Sequence, residues 1–163
     1  MVRLFVIFLC FFSMSSIAGE NAYFGIKTGA HLDSSNTGYS NSLSVFGGKH
    51  IYERNGHIVL IEPEMSVPNS GTPFEISNSD VYRQITSYGI FTGYRSDRPF
   101  YFKIRAGILR RKITESDNLL ELNKDGLAFG AAFGWSSSRF GQYEVGATLV
   151  KQDLLNVSIG LIF

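Results

Sequence analysis

The residues able to do chemistry in this chain come in pairs of like charge. Glu62 and Glu64 are separated by one residue, as are Lys103 and Arg105. Apolar residues alternate with them: Val59, Ile61, Met65 and Val67 near the glutamates, and Phe102, Ile104, Ala106 and Ile108 near the cations. A spacing of two places side chains on one face of an extended strand, so each charged pair points one way and its apolar neighbours the other. Charges held on one side of a strand have two uses. They can neutralise one another in a polar interior, or they can line an ion path. The three histidines, His31, His50 and His57, show neither the i, i+4 pairing nor the carboxylate spacing of a metal site. They read as isolated residues at a rim or a turn. No metal, no cofactor and no catalytic constellation is expected.

The elements that position these residues are strands. From residue 20 onward no amphipathic helix is evident, apolar residues recur with period 2, and turn residues punctuate the chain. The pattern predicts eight strands, at 22–32, 42–52, 57–67, 80–94, 100–112, 125–135, 141–151 and 155–163. The last is the clearest, with Leu155, Val157, Ile159, Leu161 and Phe163 on one face and Asn156, Ser158 and Gly160 on the other. In the second strand, Gly47-Gly48 suggests a bulge that shifts the phase. Short connections, Glu53 to Gly56 with its Asn55-Gly56 turn signal, Ser96 to Pro99, and Ser136 to Phe140, alternate with longer polar ones at 33–41, 68–79 and 112–124. The connection near Lys151 to Leu154 is short and breaks the rule.

Composition narrows the class. Formal net charge is +1 at pH 7, which gives no reason to expect nucleic acid as a partner. The only long apolar run is Met1 to Ala18, with Arg3 near its start, the apolar stretch Leu4 to Met14, and Ser16-Ile17-Ala18 at its end. That is the pattern of a secretory signal peptide, so residues 1–19 are expected to be removed and 20–163 to form the mature domain. Cys10, the one cysteine, leaves with the leader, and no disulfide can then hold the fold. A closed barrel of antiparallel strands in lipid needs none, because all its backbone groups are paired between strands with no water to compete.

Aromatic residues gather at one end of the expected barrel: Tyr23, Phe24, Tyr52, Tyr94, Phe100, Tyr101, Phe102, Trp135, Phe140, Tyr143 and Phe163. Such a girdle marks a membrane–water interface. With the leader, the eight alternating strands, the alternating connection lengths and the terminal Leu161-Ile162-Phe163, the chain resembles the small outer-membrane β-barrel family that includes the OmpA transmembrane domain and OmpX. The resemblance implies an all-β, eight-stranded antiparallel up-and-down transmembrane barrel in the outer membrane of a Gram-negative bacterium. It also implies a role for Phe163 as a signal read by the barrel-assembly machinery.

In a membrane barrel the polar face is inside. The lumen would then hold Lys27, Glu62, Glu64, Arg95, Lys103, Arg105 and Glu144, together with many glycines. Glu62 and Glu64 are expected to meet Lys103 and Arg105 across it, with Glu144 taking a remaining cation. A structural salt-bridge core is the preferred reading and an ion gate the other. A soluble barrel would invert the pattern, apolar in and polar out.

For function, the sequence favours a non-enzymatic surface barrel that meets a partner through its outer loops. Outer-membrane lipid, lipopolysaccharide and an extracellular ligand are the expected contacts, and Arg110, Arg111 and Lys112 are candidates for lipid phosphates. A narrow channel or transporter is the alternative. A lipid A-modifying acyl-chain enzyme is less favoured. The His-x-Ser of lipid A deacylases is absent. Palmitoyl transferases carry a first-loop His and an Asp-Ser in the second loop; here His31 is matched only by a reversed Ser79-Asp80, and their N-terminal amphipathic helix is missing.

Overall fold

A computed structural model describes residues 21–33, 39–69, 83–115, 121–137, 141–151 and 154–163. The expected leader lies outside them, as do Ser79, Asp80 and Phe140. Eight strands, β1 (Ala22–Asp33), β2 (Tyr39–Arg54), β3 (His57–Pro68), β4 (Arg83–Ser96), β5 (Phe100–Glu115), β6 (Glu121–Ser137), β7 (Gly141–Val150) and β8 (Leu154–Ile162), follow one another around a closed barrel. Every neighbouring pair is antiparallel, and β8 returns to β1 through pairs such as Lys27↔Gly160. Closure leaves no sheet edge through the paired girth of the barrel.

Local chemistry explains the turns at the end where the chain terminates. Asn55 and Gly56 both have positive φ, 52° and 76°, as a two-residue hairpin between twisted strands requires. Neighbouring turns are laced together: the Asp97 amide donates to Gly56 O at 2.8 Å and the Ser136 amide to Pro99 O at 2.8 Å. At the seam, the Phe163 amide donates to Phe24 O at 2.8 Å and the two rings stack 5.2 Å apart.

Two expectations about the strands need correction. The pairing of β1 with β2 runs without a break through Phe24↔Gly47 and Tyr23↔Gly48, so the glycine pair is not a bulge. The register shift lies between His50 and Tyr52 in the β2–β3 ladder. The expected connection 112–124 is also mostly strand. The β5–β6 ladder continues to Thr114↔Glu121, whereas β6 and β7 pair only as far as Ala128↔Val150, so the wall formed by β5 and β6 stands taller than that formed by β7 and β8. Polar residues such as Arg110, Lys112, Asn123 and Asp125 obscured this, because strand that has left the apolar band carries no apolar alternation.

The alternation sorts inside from outside. Ile104, Ile108, Phe129, Phe133 and Ile159 are exposed on the outer wall, while Glu62, Lys103 and Arg105 are buried. On β5 the outward apolar run from Phe100 to Ile108 spans about 20 Å along the barrel axis, given ~3.3 Å per residue and a tilt near 40°. That is close to the ~25 Å apolar band of a membrane barrel. Phe24, Phe100, Phe102, Trp135 and Phe163 form an exposed collar at the terminal end, with Trp135 stacked on Tyr143 at 5.5 Å. Tyr23 and Tyr101 were expected in this collar but belong to the interior. Tyr101 is buried, and both hydroxyls reach lumen carboxylates.

Candidate functional site

The lumen is built from two copies of one three-strand arrangement. Tyr23 on β1 sits opposite Gly48 on β2, and the flanking pairs Phe46↔Glu64 and Lys49↔Ile61 place Gly48 opposite Glu62 on β3. Four strands further on, Tyr101 sits opposite Gly134, which sits opposite Glu144. In each row the tyrosine ring lies in the space left by the glycine. A Cβ on Gly48 or Gly134 would stand 2.1 Å from the Cζ of its tyrosine. The Tyr23 hydroxyl donates to Glu62 Oε2 at 2.8 Å, and that of Tyr101 to Glu144 Oε2 at 3.2 Å. Sequence reasoning missed this arrangement, although a signal was present. Tyr23-Phe24-Gly25-Ile26-Lys27-Thr28-Gly29 and Tyr101-Phe102-Lys103-Ile104-Arg105-Ala106-Gly107 share Tyr, Phe, Ile and Gly, with Lys and Arg at one equivalent position.

Cations join the two copies. Lys103 Nζ lies 3.1 Å from Glu62 Oε2 and 2.7 Å from Glu144 Oε2. Arg105 Nη1 lies 2.6 Å from both Glu62 Oε1 and Glu64 Oε2, and its Nη2 donates to Thr148 Oγ1 at 2.8 Å. Lys27 Nζ lies 2.6 Å from Glu64 Oε2. The cluster therefore holds three cations and three carboxylates, all linked by contacts of ion-pair length. Burying such charges is costly unless each is paired and hydrogen-bonded, and here each is. The Arg105 guanidinium also lies over the Phe91 ring at 4.2 Å, which shields its remaining face.

Towards the chain termini a second layer closes the interior. Arg95 lies 4.9 Å from the Tyr101 ring centroid and 5.7 Å from that of Tyr23, and donates to Gln142 Oε1 at 3.0 Å. Among the described residues no carboxylate lies within ion-pair distance of it, so aromatic faces and an amide serve this cation. Phe46, Tyr101 and Ile162 pack together at this level. Towards the opposite end an apolar cluster of Ile85, Leu109, Ile113, Val150 and Leu154 forms between β4, β5, β7 and β8. Buried serines, Ser42, Ser44, Ser66 and Ser87, line β2 to β4.

The structure thus gathers Glu62, Glu64, Lys103, Arg105 and Glu144 into one network and adds Lys27, Tyr23, Tyr101 and Thr148. It separates the basic run Arg110-Arg111-Lys112 of β5. Arg110 and Lys112 face outward, but Arg111 is buried inside, where lipid phosphates cannot reach it. Alternation requires this, since consecutive strand residues point to opposite faces. His31 is also inside rather than at a rim; Asn156 Nδ2 lies 3.1 Å from its Nδ1. His57 is exposed and stacks on Tyr94, while His50 lies 3.5 Å from Glu53. Among the described residues no group of three His, Cys, Asp or Glu side chains could hold a metal.

No family model and no curated protein matches the sequence. Solved structures do resemble it in fold. Neisserial surface protein A aligns with a TM-score of 0.54 at 10% identity, over 86% of this chain and 94% of that one. Ail, the attachment invasion locus protein of Yersinia pestis, solved in complex with the heparin analogue sucrose octasulfate, aligns with a TM-score of 0.53 at 10% identity, over 88% and 97%. At such identities the likeness is one of fold, and the fold is that of small outer-membrane β-barrels.

Proposed function

We propose that this chain is a non-enzymatic barrel of the Gram-negative outer membrane whose work is done outside the lumen, by the strand ends and connections opposite its termini. One observation carries the reading: the lumen is crossed at mid-height by a charge-balanced network in which every carboxylate and cation is engaged, with an aromatic layer beneath it. An eight-stranded barrel is only wide enough to be filled by side chains, so nothing of solute size passes without breaking several buried ion pairs. The apolar outer wall supports residence in lipid, and the tall β5–β6 wall supports contact with partners beyond it. The fold relatives are described as a surface protein and an attachment protein, which accords with a surface role here.

Planar-bilayer recording on the refolded protein separates this reading from the channel alternative. Steady, ohmic conductance would establish a channel. The surface role is tested by replacing residues 70–82 with a short Gly-Ser turn in cells. Unchanged barrel assembly with loss of adhesion or phage adsorption supports it, and unchanged adhesion and adsorption count against it.

A further inference from the structure

The outer wall carries a groove that the charged lumen does not explain. It measures about 540 Å³, within the ~300–1,000 Å³ of small-molecule sites. It lies across three strands, between the row Pro63–Ile90–Ile108 and the row Met65–Tyr88–Arg110. All six residues belong to the lipid-facing set of their strands, so the groove opens towards the bilayer. It sits at the end away from the termini, where the outward run on β5 changes from Ile108 to Arg110 and Lys112. Below Arg110 the walls are apolar. At its level the chemistry changes abruptly.

That polar edge is organised. Tyr88, Arg110 and Asp125 are register partners on β4, β5 and β6. Asp125 holds the guanidinium in a fork, with Nε to Oδ1 at 2.7 Å and Nη2 to Oδ2 at 2.8 Å. The Nη1 edge points towards Tyr88, whose hydroxyl lies 3.4 Å away, at the lip of the groove. A fixed guanidinium presents directed donors suited to a phosphate. The adjoining carboxylate would repel a bare anion but accepts hydrogen bonds from hydroxyls. Donors and acceptors side by side suit a headgroup that carries both phosphate and sugar hydroxyls.

The geometry points to a binding site for one acyl chain of a phosphorylated glycolipid of the lipid A class. The chain lies in the apolar groove, the phosphate meets Arg110 and Tyr88, and the sugar hydroxyls donate to Asp125. This inference rests on the outer-membrane reading, which places that end of the barrel in the glycolipid leaflet.

The test uses the refolded full-length mature protein in nanodiscs of phosphatidylcholine containing a small mole fraction of lipid A or, separately, of phosphatidylglycerol. Native mass spectrometry counts the lipids each barrel retains. The wild type should retain lipid A in preference to phosphatidylglycerol. Arg110→Gln should lower that retention about tenfold, the effect of losing a hydrogen bond to a charged group. Ile90→Trp, or Ile108→Trp should the first fold poorly, should fill the groove and abolish retention while the folded band on a heat-modifiability gel persists. Equal retention of phosphatidylglycerol, or retention unchanged in Arg110→Gln or in a folded groove-filling variant, overturns the site. A barrel that fails to insert into bilayers at all overturns the outer-membrane reading and this one with it.

Discussion

Arg105→Ala probes the lumen most directly. Among the described residues Arg105 is the only cation that touches both Glu62 and Glu64, each at 2.6 Å, and it also donates to Thr148 and covers Phe91. Removing it leaves Lys27 and Lys103 facing three carboxylates. Deleting one partner of a buried pair costs about 3–5 kcal/mol, because the survivor keeps its desolvation penalty without compensation. Here each survivor retains a second cation, Glu64 through Lys27 and Glu62 through Lys103. The expected loss is therefore at the lower end, about 3 kcal/mol. The geometry also selects the compensating change. With Glu62→Gln added, Lys27–Glu64 and Lys103–Glu144 remain as two separate neutral pairs. The double variant should recover about 1–2 kcal/mol relative to the sum of the single changes. Urea unfolding of the refolded barrel in lipid vesicles measures all three variants. A loss below about 1 kcal/mol for Arg105→Ala, or strict additivity in the double variant, would refute the network as the element that stabilises the interior.

Two glycines on opposite faces of the wall test inside against outside. Gly134→Ala should destabilise by about 1–3 kcal/mol, since its Cβ would strike the Tyr101 ring, while Gly47→Ala, whose Cβ meets nothing closer than 3.7 Å, should stay within about 0.5 kcal/mol by the same unfolding assay. Deleting Phe163 should sharply lower outer-membrane yield in cells, with protein degraded or held in the periplasm; Phe24→Ala removes the same ring stack and should not, so equal losses would assign Phe163 a packing role instead. N-terminal sequencing of the exported protein should begin at Gly19 or Glu20, and a mature chain starting at Met1 would refute the leader.

The sequence by itself determined what depends on neighbours along the chain. Period-2 alternation identified the strands and sorted Glu62, Glu64, Lys103 and Arg105 onto the polar face, because a side chain's direction on a strand follows from position alone. Asn55-Gly56 identified its turn for a similar reason: few residues tolerate positive φ at two successive positions. What the sequence could not decide depends on register between strands. Gly48 reads as a bulge in isolation and becomes a socket only when β1 brings Tyr23 beside it. Tyr101 reads as interfacial until Gly134 and Glu144 are placed across from it. The partner of each charge follows the same logic. Alternation puts Glu62 and Arg105 on the polar faces of their strands, but only closure of the barrel brings β3 and β5 together across a lumen narrow enough for 2.6 Å contacts. Register is fixed by ladder hydrogen bonds and turn geometry around the whole circuit, and no local stretch of sequence contains that information.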